Sequence, residues 1–448
     1  MSGRLHIAYV CADRGVPVGG HKGASLHLAE MVRALIERQA EVHVLAARVA
    51  DSAGNSLDGA PIADVGGSRS ARRSRESILS ALGSGAGATL RSEAASIAAN
   101  QDMGRALERL HRSWRIDVVY ERYALWGYAA AGFTRAHGIP HLLEVNAPLP
   151  EEQKRYRDLE NEKLALVFQH HVFSSVSRVL VPSASLAPYV VSSGADASVV
   201  QVVPNAADPK RFRPHRRRRT GGRLTDNTFT LGFVGSLKPW HGVDDMVRVF
   251  RRLYRTWPGY RLLVVGDGPL REEAEQKLRS WGLEPYARFT GATSHEDIPQ
   301  WMSQMDVALA PYPKRAPTYF SPIKIFEYMA GGVPIVASAV GQIDELLKNR
   351  RSALLHSPGA IAEMALCVEE LRRKPSLRAK LSTEARAVLV QNYTWSKNAQ
   401  RVLAIVRAVE GEAVKDLASR ESVPVPKSAE RQAAARSPRR KRPLRDRG

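Results

Sequence analysis

Three stretches of this 448-residue chain join a short apolar run to a loop rich in glycine and polar side chains. The first spans Cys11 to Lys22 and carries Gly15, Gly19 and Gly20, then His21 and Lys22, before a helical pattern opens near Gly23. Glycines let backbone N–H groups approach an anion, and a helix N-terminus adds a favourable dipole. A flexible turn accounts for the same residues. The spacing is not the GxGxxG of a dinucleotide site, which argues against a nicotinamide enzyme. The second loop, Gly235-Ser236-Leu237-Lys238-Pro239-Trp240-His241-Gly242, follows the apolar run Thr230–Val234. Lys238 or His241 can meet a diphosphate there, although a loop lysine is more often simply solvated. The third, Gly266-Asp267-Gly268-Pro269, follows Arg261–Val265 and suits a tight turn with Pro269 in the first turn of a helix.

The most specific stretch runs from Tyr319 and Phe320 through Ser321-Pro322-Ile323-Lys324-Ile325-Phe326-Glu327 to Gly331-Gly332-Val333-Pro334. Ser321 is a good N-cap and Pro322 a good first helical residue, so the pattern predicts a helix starting there. Its leading N–H groups can hold a phosphate without a metal. Glu327, one to two turns further in, can accept two hydrogen bonds from a ribose diol; an exposed glutamate on an amphipathic helix is the plainer reading.

These loops need elements to hold them. Leu5–Val10 reads as a buried strand, Leu26, Ala29, Val32, Leu35 and Ile36 fall at helical spacing, and Glu41–Leu45 returns to strand. That is a right-handed βαβ unit. Residues Ala47 to Gln101 have a weak pattern rich in Ser, Gly, Ala and Arg, and read as an insertion, partly helical near Ser77–Leu82 and Thr89–Ala99. Strands resume at Val118–Tyr120, His141–Val145, Arg178–Val181 and Val199–Val203. A second series follows at Thr230–Val234, Arg261–Val265, Ala287–Thr290, Val307–Ala310 and Pro334–Ser338. Two βα series predict an α/β protein of two doubly wound sheets, with ligands outside the carboxyl ends of the strands.

Charge is concentrated rather than spread. Lys427–Gly448 carries +7 and Lys210–Arg223 carries +8, together +15 of the net +21. Solvated linkers and tails are the bland reading of such runs; contact with anionic lipid or nucleic acid is the sharper one. No aromatic and basic residues interleave, so no specific nucleic-acid partner is expected. Cys11 and Cys367 form no pairing pattern, the N-terminus lacks a signal-peptide core, and no apolar run reaches the ~18 residues of a membrane span. The expectation is a cytoplasmic protein, with peripheral contact at the inner membrane face as the alternative. Asp244-Asp245 is not a DxD pattern and no ligand cluster appears, so neither metal nor cofactor is expected.

Across nearly the whole chain the sequence resembles the retaining GT-B glycosyltransferases of family 4. The matching stretches are the Gly19-Gly20 loop, Val203-Pro204-Asn205, Leu231–Gly235, Val264–Pro269, the Phe320 to Pro334 block and Tyr393-Thr394-Trp395. The resemblance implies an N-terminal Rossmann-like acceptor domain over 1–205 (insertion about 47–105), a basic linker over 206–228 and a C-terminal nucleotide-sugar domain over 229–393. A helix over 394–420 then returns to the first domain, and a disordered basic tail covers 421–448. It implies donor contacts from Gly19, Gly20, Gly235, Ser236, Lys238, His241, Gly266, Tyr319, Phe320, Ser321, Pro322, Ile323, Lys324 and Glu327. Glu327 matches the ribose-binding glutamate, and the N–H groups around Ser321–Ile323 match those that hold the diphosphate.

The chain departs from the family at three places. Tyr319 stands where the first glutamate of a Glu-x7-Glu pair is usual, Ser236 and His241 replace an arginine and a lysine, and Asn146 takes the place of a histidine. Lys238 is the candidate to supply the missing charge, and Asn146, Lys238 and Glu327 are the candidate catalytic residues. His21, Lys22, Glu144, Asn146 and Glu151, with Gln153 and Arg155 beyond, mark the acceptor side, although each is more often an ordinary loop or helix residue. The implied co-substrate is a UDP- or GDP-sugar and the acceptor a saccharide or lipid-linked glycan. A non-catalytic donor-binding relative acting as a scaffold is one competing class, and a basic nucleic-acid-binding protein on an α/β scaffold is the other, more distant one.

Overall fold

The computed structural model describes residues 4–51, 53–65, 67–81, 87–214, 228–314, 319 and 321–421, with side chains described to residue 412. Phe320, most of the basic run from Lys210 to Arg223, and the tail beyond residue 421 lie outside the described residues.

Two sheets form the scaffold. The first contains β1 (His6–Cys11), β2 (Glu41–Ala46), β3 (Ser56–Leu57), β4 (Ala60–Asp64), β5 (Val118–Arg122), β6 (His141–Glu144), β7 (Arg178–Val181) and β8 (Val200–Val202), in the order 3-4-2-1-5-6-7-8. The second contains β9 (Phe229–Val234), β10 (Tyr260–Val265), β11 (Ala287–Phe289), β12 (Val307–Ala310), β13 (Ile335–Ser338) and β14 (Leu354–His356), in the order 11-10-9-12-13-14. Every pairing is parallel except β3 with β4. Strand order reverses beside β1 in one sheet and beside β9 in the other, so the loops leaving these two strands open into the crevices where doubly wound sheets bind ligands.

The central strands are buried runs, as parallel strands covered on both faces must be: β12 and β13 are buried at every position. The insertion departs from expectation. It adds β3 and β4 to the edge of the first sheet, joined by Asp58 (φ 50°) and Gly59 (φ 96°) in a two-residue hairpin. It also folds Ala88–Trp114 into one helix of 27 residues, well past the expected Ala99. That helix buries alanines together with Glu93, Asn100 and Asp102, which dilutes its apolar periodicity. Asn100 is committed: its amide donates to the Trp126 carbonyl at 2.8 Å and accepts from the N–H groups of Tyr128 and Ala129. β14 is a further strand beyond those expected, three residues long at the sheet edge.

The chain passes back between the halves near its end. Ala207 N–H donates to the Tyr393 carbonyl, Asn398 donates to the Pro204 carbonyl at 2.6 Å, and the Trp395 ring lies 4.9 Å from that of His27. These contacts start the helix Trp395–Glu421. From Ala404 the chain forms a separate compact unit, of which the continuation of this helix is described.

Candidate active site

Two glycine loops stack at the carboxyl ends of β9 and β10. Gly235 N–H donates to the Val265 carbonyl, and Leu237 N–H donates to that of Asp267. Gly266 (φ +132°) admits no side chain, since a Cβ would lie 2.3 Å from the Gly235 carbonyl oxygen. Its glycine is thus required by loop-on-loop packing. His241 closes the same turn, its Nδ1 lying 2.5 Å from the Ser236 carbonyl. A carbonyl only accepts, so Nδ1 carries the proton. Burial, with Lys324 and Lys238 nearby, pushes the imidazole down to about 3, so His241 is neutral and cannot be the cation expected at this turn. Lys238 rests over the Trp240 ring at 5.0 Å; burial, Arg157 and Lys22 lower its pKa while Glu152 opposes them.

The helix after β12 runs Ile323–Gly331 and stops at Gly332 (φ +62°), a left-handed cap that only glycine adopts readily. It starts one residue later than expected: Pro322 occupies the N-cap and Ser321 does not cap. Asn205 claims Ser321 instead, its side chain donating to the Ser321 carbonyl at 2.6 Å and its N–H to the hydroxyl at 3.4 Å. Lys324, in the first turn, is buried without a hydrogen-bond partner. Its Nζ lies 3.9 Å from the centre of the Phe233 ring and directly against Gly235. Burial brings its ammonium down to about 7, with Glu327 pulling the other way.

Glu327 is buried one turn on, and its Oε1 accepts from His295 Nε2 at 2.7 Å. His295 follows β11 and touches Arg211, which in turn donates to Glu30 on the helix Gly23–Glu37 of the first half. A small cavity beside this chain of groups is bounded by His27, Glu30, Arg211, His295, Glu327 and Trp395. His295 and Arg211 were not singled out by the sequence pattern, and Asn205 only as part of the Val203-Pro204-Asn205 stretch, with no role given to it.

The first half brings its own loop to the same place. A Cβ at Gly23 would stand 3.9 Å from the Ile323 side chain, so the two helix N-termini face each other. Gly19 (φ +77°) packs on the insertion, where a Cβ would lie 2.2 Å from Ala53. A Cβ at Gly20 would meet Pro17 at 3.0 Å, while His21 and Lys22 are exposed and Lys22 donates to the Gly15 carbonyl. Glu144 is not available to an acceptor. It is buried, and its oxygens are taken by Tyr120 (2.6 Å), Arg122 (2.8 Å), Asn146 and His27 (3.5 Å). Asn146 is tied to Glu144 in the same way. Glu151 is exposed on the helix Leu149–Tyr156, and its neighbour Glu152 is the carboxylate that reaches the second half, accepting from the Tyr319 hydroxyl at 2.6 Å. Tyr319→Phe should remove this link, costing about 1–2 kcal/mol of stability in a denaturant titration.

Among the described residues, no cluster of three or more His, Cys, Asp or Glu is placed to hold a metal, and no helix is long and apolar enough to cross a membrane.

Residues 21–211 match the model of Glycosyltransferase Family 4, and residues 228–374 match that of the Glycosyl transferases group 1. The chain belongs to the GT-B glycosyltransferases. This glycosyltransferase is 23% identical over 288 residues to a glycogen synthase of Mycobacterium tuberculosis, covering 63% of its own length and 67% of the relative. It is 25% identical over 285 residues to the 2-deoxystreptamine glucosyltransferase of Streptomyces kanamyceticus, covering 60% and 71%. Its fold matches the Anabaena HepE protein solved in complex with UDP at a TM-score of 0.67, with 18% identity, over 90% of this chain and all of that one. The two matched segments fall on the two sheets, and the boundary between them coincides with the basic connection that leads into β9.

Proposed function

We propose that this glycosyltransferase moves a sugar from a UDP- or GDP-linked donor to a saccharide or lipid-linked acceptor, with retention at the anomeric carbon. The reading is carried by one juxtaposition: the N-terminus of the helix Ile323–Gly331, the unpartnered Lys324 ammonium and the Glu327 carboxylate meet at the carboxyl ends of β9 and β12. The helix dipole and Lys324 are suited to a diphosphate, and Glu327 to a ribose diol. As the donor's glycosidic bond breaks, charge grows on the departing diphosphate, where preoriented N–H groups and cations act most strongly. Lys324 and Lys238 serve that role, and His241 contributes a neutral imidazole only.

The division of labour follows the two halves. Residues 229–393 act as the donor domain, 1–205 as the acceptor domain, 206–228 as their link and 394–420 as the returning helix. His21, Lys22, Asn146 and Glu151 line the acceptor side, with Glu144 acting through Asn146. A cytoplasmic location, with basic segments against anionic lipid, suits a lipid-linked acceptor.

The test is turnover and binding across UDP-, GDP- and ADP-sugars. Transfer or slow hydrolysis of one donor, lost in Glu327→Ala, is the expected result. Binding without turnover would support a donor-binding scaffold instead, a reading favoured by Tyr319 at the position of the sugar-contacting carboxylate. No binding to any of them would overturn the proposal.

A further inference from the structure

Four side chains from three separate parts of the chain form an unbroken polar line. Glu30 Oε1 accepts from Arg211 Nη1 at 2.7 Å, Arg211 Nη1 meets His295 Nδ1 at 2.9 Å, and His295 Nε2 meets Glu327 Oε1 at 2.7 Å. The direction of every bond is fixed by chemistry. A guanidinium only donates, so Nδ1 of His295 must be the accepting nitrogen. The ring is then the neutral Nε2–H tautomer, and its one proton points at Glu327. The carboxylate is therefore held through a single oxygen, Oε1, and among the described residues none meets Oε2.

Both end carboxylates are buried, at 6% and 5% exposure, whereas Arg211 and His295 border the cavity beside them. Buried carboxylates need hydrogen-bonding partners, and these four satisfy one another while leaving one oxygen over. The line also crosses the molecule. Glu30 sits on the first helix of the first half, where Arg33 shares it at 3.2 Å. Arg211 lies on the connection, and His295 and Glu327 belong to the second half.

We propose that Arg211 and His295 are positioning residues that set the rotamer of Glu327 for the ribose of the donor and tie it to Glu30 on the opposite half. This rests on the donor reading given above. The free oxygen of Glu327 is the one that receives a ribose hydroxyl, and its aim depends on the imidazole behind it. Because the imidazole is aimed by Arg211 and Arg211 by Glu30, ribose recognition is coupled to how the two halves meet.

The test compares calorimetric binding of UDP, GDP and ADP with that of their 2′-deoxy counterparts. A hydroxyl bonded to a carboxylate is worth about tenfold or more, so the natural protein should favour the ribonucleotide of its preferred base by that ratio. His295→Met and Arg211→Met should each bring the ratio to within about threefold, and the double variant should do no more than either alone, the mark of residues acting in one line. His295→Gln should keep the ratio, since its amide offers an N–H to Glu327 and a carbonyl to Arg211. A merely structural histidine would instead lower ribo- and deoxyribonucleotide affinity together.

Two results would overturn the proposal and can be told apart. If Glu327→Ala loses the ratio and His295→Met and Arg211→Met keep it, the relay alone is wrong. If Glu327→Ala keeps the ratio, the ribose assignment of Glu327 fails and the relay fails with it. Thermal unfolding of each variant identifies any that does not fold; Arg211, partly exposed, then stands in for His295.

Discussion

Lys324→Met should lower kcat/KM for the donor by about a hundredfold while making the unliganded protein more stable. The two effects have one cause. In the free protein the ammonium is buried against the Phe233 ring and Gly235 with no hydrogen-bond partner, an arrangement that burial disfavours strongly enough to bring it down to about 7. Methionine fills similar space without a charge, so the unliganded fold gains. A diphosphate at the Gly235 loop would supply the missing counter-charge, and a charge-assisted contact in such a place is worth about 2–3 kcal/mol, or roughly a hundredfold. Binding a nucleotide-sugar also favours the charged lysine, so it takes up a proton above pH 7. Affinity should therefore be greatest below pH 7 and fall as pH rises through it. Calorimetry in two buffers of different ionisation enthalpy measures that uptake directly. The uptake should vanish in Lys324→Met; uptake that persists there would assign the proton elsewhere. The sign for stability is the opposite of a salt-bridged lysine's. Between about 7 and the ordinary 10.5 the unfolded chain holds a proton that the folded chain has lost, so this residue makes stability rise with pH across that window.

Most of the scaffold could be read from the sequence because it is written in buried parallel strands. Runs such as Val307–Ala310 and Arg178–Val181 are apolar at nearly every position, bounded by loops, and recur in two series. The insertion resisted for the opposite reason. β4 (Ala60–Asp64) buries only its first residue, at a sheet edge, and carries Pro61, which an edge tolerates and a central strand does not. Its turn, Asp58-Gly59, is of the type a two-residue hairpin favours, a local signal that the weak pattern around it obscured. At the site, the Lys324–Glu327 helix stood out because glycine, proline and a carboxylate fell together in one short block. His295, Arg211 and Glu152 did not, and Asn205 stood out only as part of a matching stretch without a role, because each acts through a partner more than 25 residues away, as Glu152 does with Tyr319 and Asn205 with Ser321. Ser321 shows the limit of local chemistry: it is a sound N-cap by type, but Asn205 from the other half competes for it and wins.

The largest effect on stability should come from Glu144→Ala. This carboxylate sits at the end of β6 with Tyr120, Arg122, Asn146 and His27 around it, and all its hydrogen-bonding capacity is used. Removing it leaves the nearly enclosed Arg122 charge without its counter-ion and the Tyr120 hydroxyl without its acceptor, a loss of about 3–5 kcal/mol. Glu144→Gln keeps the shape but loses the charge, and about 2 kcal/mol is expected from denaturant titrations. If both variants melt like the natural protein, the network is dispensable and this account of the first half is wrong. Acid should expose the same network in two stages. Burial lowers the His27 imidazole below its ordinary 6.5, so below that value the unfolded chain binds a proton that the folded chain resists. Burial would raise Glu144, but His27, Arg122 and its hydrogen bonds outweigh it and hold the carboxyl below 4.5, so a second loss sets in as pH falls past that point. Both shifts act in the same direction. Stability should therefore decline from about pH 6.5 downward and more steeply below about 4.5, and His27→Gln should remove the first part of the decline and shrink the second, since His27 is among the groups that hold Glu144 down.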